Sequence, residues 1–316
     1  PRDSITWTPR ALLSVAAATV FVTLLATAAH GEILRLDKSV IPGTESITPG
    51  PGVVLADWNT IDHNLSRADL GGFDLQQSTF AGSWLDGAWL VGANLSNANL
   101  SNTNLTAARF RQATLANATL NGAIVNDAWF TSSDLTQAQL ESTASFQSKD
   151  LHGVILAGID VSGWNMRGQN LNGASFQSSL VGTDFTNADL THAGFYGSAM
   201  ADAIFTGAII NGAYLSEVTD RGFSFEQLQS TASYQALDLH DIQLKSCDLR
   251  GWDFSGQNLR GASFYDSALQ NADLSGADVT SANFFGTTHR GFSKAQLGST
   301  KSYREKDLHG VILSAN

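Results

Sequence analysis

A single cysteine, Cys247, means that no disulfide can form within this chain, and its fold has to rest on packing alone. Positive charge is scarce: 18 Lys and Arg stand against 29 Asp and Glu, a net charge of −11. That balance argues against nucleic-acid binding through a basic surface. Between residues 61 and 140 there is no lysine at all, and the arginines there are Arg67, Arg109 and Arg111. Motifs that carry chemistry are missing as well. There is no glycine-rich phosphate loop, no nucleophile elbow and no zinc-ligand spacing. The expectation is a protein with no catalytic residue, no cofactor and no metal. Carbohydrate cleavage from a surface cleft is the enzymatic alternative, but no carboxylate cluster recurs at twenty-residue spacing.

What the chain has in abundance is a beat. From Leu65 to Leu140 a large apolar residue falls on every fifth position, sixteen in succession. Two residues before most of them sits a small one, as at Ala88, Ala93, Ala98, Thr103 and Ala108. A period of five fits neither a helix nor a flat strand. It fits a chain that turns a corner every five residues and sends two side chains inward each time. The beat resumes over Leu151–Phe176, Leu180–Leu215 and Leu239–Phe284, and again at Leu308 and Leu313. Units that cannot bury their apolar face alone must stack into one continuous, narrow core.

The phrase Ala93-Asn94-Leu95-Ser96-Asn97-Ala98-Asn99-Leu100 resembles the pentapeptide-repeat family over roughly residues 61 to 316. The resemblance implies an all-β chain, a right-handed, four-sided parallel β-helix with four pentapeptides per coil. With about 4.8 Å between coils, the rod would be roughly 50 Å long.

In chain order, Arg2 and Arg10 precede an apolar run from Ala11 to Ala29, followed by small residues. This predicts a secretory signal peptide over residues 1–31, with an uncleaved membrane anchor as its rival. The expected location is outside the cytoplasm: periplasmic, cell-surface or secreted, in a bacterial setting. Pro1 in place of a starting methionine, and the halt in mid-beat at Asn316, suggest that residues are missing at both ends, including any C-terminal anchor. Residues 32–62 lack the beat and carry Pro42, Pro49 and Pro51, and are expected to cap the first coil against exposure of core and edge. The β-helix is expected over 63–316, interrupted near 136–150, 219–238 and 288–307.

The interruptions repeat one another. Thr136-Gln137-Ala138-Gln139-Leu140 recurs as Ser224-Phe225-Glu226-Gln227-Leu228 and as Ser293-Lys294-Ala295-Gln296-Leu297. Ser/Thr-x-x-Gln is a capping-box spacing, so each interruption should open with a short helix budding from one corner. Each copy then runs on to Asp-Leu-His, at Asp150 to His152, Asp238 to His240 and Asp307 to His309. Those pairs flank an inward Leu and sit coils apart, so they are expected to be surface decoration. Trp164, Trp252 and Cys247 fall on inward positions and are expected to fill the core.

One surface feature points to binding. At twenty residues per coil, Asp69, Trp89, Arg109 and Trp129 form a column, with Trp84 one face away. Alternating Trp and Arg suits cation–π stacking, and exposed Trp suits a sugar ring or a partner's hot spot. The competing expectation is that the N-terminal cap folds back over the rings. The chain is therefore read as an exported, non-catalytic scaffold that meets an unknown protein or a surface polysaccharide. Nucleic acid is not expected as a partner; membrane contact would come through an uncleaved leader or a missing anchor, and oligomers through end-to-end packing.

The resemblance also offers an alternative, a DNA mimic that binds type II topoisomerases. Residues 61–140, 141–220 and 221–316 carry net charges of −3, −6 and −1. Duplex DNA, at one charge per roughly 1.7 Å, would present about 11 over four coils.

Overall fold

The computed structural model describes residues 32–59 and 64–314; the expected leader, residues 1–31, lies outside them. The repeated region is a stack of coils. Trp89 forms a parallel bridge with Arg109, and Arg109 with Trp129, an offset of 20 residues that recurs on four faces. The offset is 19 between Asn170 and Asp189, after the four-residue step at Phe176 to Leu180.

A five-residue unit with Asn or Asp at the bridging position satisfies all of its backbone donors, and the phrase around Leu95 shows how. The N–H groups of Leu95 and Asn97 donate to Thr114 O and Ala116 O on one neighbouring coil, both at 2.8 Å. Asn99 N–H donates to Ser78 O on the other neighbour at 2.8 Å, and Ala98 N–H closes the corner on Leu95 O at 2.9 Å. One donor is left over, Ser96 N–H, and the Asn94 side-chain Oδ1 accepts it at 3.2 Å. The same bond joins Ser101 to Asn99, Thr106 to Asn104 and Thr191 to Asp189. The Asn/Asp of the repeat is therefore a backbone cap for the corner, in the manner of an Asx-turn.

Corners this frequent leave no room for strands. Among the described residues, each face contributes one bridging residue and no extended strand forms. The expected all-β character thus reduces to isolated bridges, because each five-residue side spends two positions on a turn.

The inward positions are packed throughout. Leu65, Leu70, Leu75, Phe80 and the centres that follow to Phe284 are buried, as are Ala88, Ala93 and Ala98, whereas Leu308 is half-buried and Leu313 is 37% exposed, since no described coil covers the last one. Phenylalanines stack along the axis: Phe110 on Phe130 at 4.9 Å, Phe264 on Phe284 at 5.2 Å, Phe284 on Phe292 at 4.5 Å. At some small slots a hydroxyl donates to the coil below, as Thr103 does to Phe80 O at 3.1 Å and Ser267 to Leu244 O at 2.6 Å. Cys247 fills such a slot, its Sγ 3.2 Å from Leu215 O, and burial pushes its thiol above the ordinary value.

Residues 33–59 close the first coil. Ile33, Ile41 and Leu55 enter the core, Arg35 pairs antiparallel with Ala68, and Val54 pairs parallel with Thr79.

The interruptions form three helix pairs: α1 (Gln137–Glu141) with α2 (Ala144–Gln147), α3 (Phe225–Gln229) with α4 (Ala232–Gln235), and α5 (Lys294–Ser299) with α6 (Lys301–Arg304). Capping boxes at Thr136, Ser224 and Ser293 start the first helix of each pair. The helices do not bud outward, as the sequence suggested; they replace part of the coil wall. Leu140 and Leu228 are buried in the core, and the bridges on either side are offset by 26 residues at the first pair (Trp129 to Ile155) and by 29 at the others (Tyr214 to Gln243, Asn283 to Ile312). The capping-box glutamine makes this substitution workable. Gln227 Oε1 accepts from Ser224 N–H at 2.7 Å while its Nε2 donates to Met200 O and Ala203 O at 2.9 and 2.7 Å. Gln139 and Gln296 repeat the arrangement toward Leu115 and Ala118, and toward Leu269 and Ala272. Ahead of α3, Gly222 has φ +99°, and an added Cβ would lie 2.7 Å from Ala201 N. Only glycine fits there.

Three outcomes are expected. Ala98→Leu overpacks the axis and costs about 1–3 kcal/mol, whereas Ser96→Leu on the corner stays within about 0.5 kcal/mol of wild type; urea melts measure both. Gln227→Leu strips carbonyls of the coil below of their donor, and amide exchange should quicken around α3 and Ala203, with distant coils unchanged. The third outcome concerns acid. Hydrogen bonds from Ser162 hold the Asp160 carboxyl below its ordinary value of 3.8. At Asp150, Asp184, Asp238 and Asp278 partial burial pushes the other way as the largest single effect. It is outweighed there by hydrogen bonds from His152, Thr186, His240 and Thr280, among others. Folded values below the unfolded one of about 3.9 mean stabilisation that is complete above that pH and lost as pH falls through the folded values. Thermal melts should be level from pH 7 to 5 and fall below 4, less steeply in Asp184→Asn/Asp278→Asn.

Candidate interaction surface

Trp89, Arg109 and Trp129 occupy the bridging position of three successive coils on one face. The Arg109 guanidinium lies over the Trp129 ring at 4.6 Å and over Trp89 at 5.4 Å. The three side chains thus form one ladder, held at the spacing of the coils. Ile155 extends it beyond Trp129. Trp84 stands on a different face, bridging to Asn104.

The rings are set differently into the surface. Trp89 is half-buried, with its edge on the corner below, where an added Cβ at Gly71 would come within 2.5 Å of Trp89 Cδ1. Trp129 is 39% exposed, and so is Trp84. The N-terminal segment meets this column at its foot, where Lys38 Nζ lies 2.8 Å from Asp69 Oδ2. It does not blanket the column, because its chain is used in covering the open first coil, with Leu55, Asp57 and Trp58 bonded to residues 79–84.

These positions share the lack of a corner cap with others such as Ile124, Ile204 and Ile209, and differ from them in carrying rings and a guanidinium. Where the bridging residue is Asn or Asp, its side chain accepts the spare corner N–H. Trp and Arg side chains have no acceptor, so Trp84, Trp89, Arg109 and Trp129 each give up a bond of about 0.5–1.5 kcal/mol. The repeat does not need them for its own closure.

The Asp-Leu-His triplets do more than decorate. His152 Nδ1 lies 2.8 Å from Asp150 Oδ1 and 2.9 Å from Asn126 Nδ2. Asn126 accepts from Ser145 Oγ at 2.8 Å, and Asn170 donates to Asp150 at 2.8 Å. The second copy repeats this network with Ser233, Asn211, His240, Asp238 and Asn258. It ties each helix pair to the coils beside it. In the third copy Thr280 stands in the place of the Asn, and Ser302 Oγ lies 3.1 Å from Asp278 Oδ1. The recurring Ser and Asn were visible in the sequence, but nothing there marked them as neighbours across 19 to 22 residues. Among the described residues no group of three His, Cys, Asp or Glu could hold a metal ion, and no helix is long and apolar enough to cross a membrane.

Comparison with known proteins gives a consistent family. The family model described as pentapeptide repeats matches in 8 copies, over residues 64–97, 98–137, 177–207, 238–276 and 247–286. No curated protein matches the chain. Among solved structures, HetL, a pentapeptide repeat protein involved in heterocyst differentiation regulation from the cyanobacterium Nostoc sp. strain PCC 7120, is 22% identical. The match covers 75% of this chain and 86% of that one, with a TM-score of 0.26. A pentapeptide repeat protein of the Arabidopsis thaliana thylakoid lumen is 19% identical over 42% of this chain and 66% of that one, with a TM-score of 0.20. QnrB1, a plasmid-mediated fluoroquinolone resistance protein, is 15% identical in its full-length form, over 84% and 92%, with a TM-score of 0.24. Scores this low carry no weight for the role of this chain. The repeat matches and the five-residue beat agree on its kind: residues 64–137, 177–207 and 238–286 are pentapeptide repeats.

Proposed function

We propose that this protein is a non-catalytic scaffold that works outside the cytoplasm, presenting the Trp89–Arg109–Trp129 face to a partner protein or a surface polysaccharide. Pentapeptide-repeat proteins are in general non-enzymatic structural or interaction proteins, and they coil as right-handed quadrilateral β-helices; we take the same hand for this chain. The observation that carries the reading is the ladder itself: a guanidinium bracketed by two indoles on one face. Indole faces at fixed spacing suit sugar rings, and rigid aromatic anchors with an arginine suit a protein hot spot. A DNA mimic would need a dense row of negative charge, and this face is centred on Arg109. Export rests on the apolar run from Ala11 to Ala29 and the arginines before it.

Two experiments test the reading. Recovery of full-length, uncleaved protein from the cytoplasm of a fractionated cell would remove export. For the face, Trp89→Asn/Trp129→Asn should change the unfolding free energy by less than about 1 kcal/mol, since two corner caps of about 0.5–1.5 kcal/mol each offset two cation–π contacts of about 0.5–1 kcal/mol each. Acrylamide should readily quench the part of the emission that this variant loses. A loss confined to unquenchable, blue-shifted emission, together with a large drop in stability, would make the ladder a packing element.

A further inference from the structure

We propose that a cleft beside α3 receives a basic segment of a partner polypeptide, with an arginine side chain laid on its aromatic floor. The cleft is an open surface depression with a volume of about 700 Å³. Its floor is the half-buried Phe225 ring, backed by the buried Trp252 at 5.4 Å, on which Phe223 packs at 6.1 Å. Its rim carries Asp220, Glu226 and Arg250.

The sign of the rim is negative. Arg250 is engaged by Asp248, with Nε 2.7 Å from Oδ1 and NH2 on Oδ2, so exposed Asp220 and Glu226 set the charge that a visitor meets. A flat cation above aromatic rings with carboxylates at its edge suits a guanidinium better than an ammonium. The molecule already uses that stack once, where Arg109 lies 4.6 Å from Trp129.

The three helix pairs separate what folding needs from what it does not. The capping Ser or Thr, the double-bonded Gln and the buried Leu or Phe before the cap recur in all three. Phe225 is replaced by Gln137 and Lys294, and Glu226 by Ala138 and Ala295. Asp220 is His289 in the third copy and has no counterpart in the shorter first. Aromatic floor and acidic rim therefore meet in the second copy alone among the described residues, and the helix pair forms without them. An aromatic edge flanked by two exposed carboxylates, of which Glu226 also accepts from Ser224 and its own N–H, is what a basic hot-spot residue would complement.

The test uses a fluorescein-labelled tetra-arginine peptide and fluorescence anisotropy at 150 mM salt. Wild type should bind it more tightly than tetra-lysine. Asp220→His/Phe225→Lys/Glu226→Ala, which installs the residues of the third copy, should weaken binding at least tenfold with an unchanged melting temperature. A control of equal charge change far from the cleft, Asp74→Asn/Asp86→Asn/Asp307→Asn, should weaken it less than twofold. Equal losses in both triple variants would reduce the binding to bulk acidity and overturn the proposal, as would no binding by wild type. Should the first triple variant unfold, Glu226→Ala alone is expected to weaken binding about threefold; an unchanged affinity there would also overturn it. None of these outcomes bears on the Trp89–Arg109–Trp129 face.

Discussion

The structure depends on one constraint: a chain that turns every five residues must still give each backbone N–H an acceptor. Stacking at a twenty-residue offset answers for three of the five, as at Leu95, Asn97 and Asn99, and the corner closes a fourth at Ala98. The fifth falls to the side chain of the bridging residue where that is Asn or Asp, as at Asn94. Burial of the Leu and Phe centres supplies the drive, but the donors dictate the five-residue spelling. The frequent Asn and Asp of the repeat are thus parts of the backbone network, although they stand on the outside.

The same constraint explains how helices enter the wall. A helix pair in place of a coil side brings its own internal bonds, yet strands carbonyls on the coil beneath. One glutamine per pair resolves this by capping the helix with its Oε1 and bonding two of those carbonyls with its Nε2. Its side chain joins elements 24 to 27 residues apart. The Ser–Asn–His–Asp networks do the corresponding work on the other side of the first two pairs. Both devices are local, which suits a solenoid whose coils feel only their neighbours.

Against this background the departures are informative. A repeat that gains from Asn or Asp at the bridging position carries Trp, Arg and Trp at three successive coils, and their side chains form a ladder on one another. The second helix pair departs in the same sense, with Phe225 and Glu226 where the other copies carry residues that leave no aromatic floor and no acid rim. In both places side chains unneeded for closure, Trp129 with Arg109 and Phe225 with Glu226, bring rings and charge to the surface, and the proposed binding rests on them.

From the sequence alone the five-residue beat determined the inward register, from Leu65 to Phe284 and including Ala88, Ala98, Trp164, Trp252 and Cys247, all of which are buried. The Ser/Thr-x-x-Gln spacing likewise determined where helices begin, because a capping box is closed within four residues. Twenty-residue spacing placed Trp89, Arg109 and Trp129 in one column. What lay beyond reach was every bond whose partner is a coil away: the spare donor that Asn94 accepts, the carbonyls that Gln227 joins, the Asn126–His152 contact. Those depend on which backbone groups stacking has already used. Only the tertiary structure decided that the helices lie in the wall, that the cap stops at the foot of the Trp column, and that Phe225, Glu226 and Trp252 share a cleft, because coil-to-coil packing brings together residues that the beat alone treats as independent.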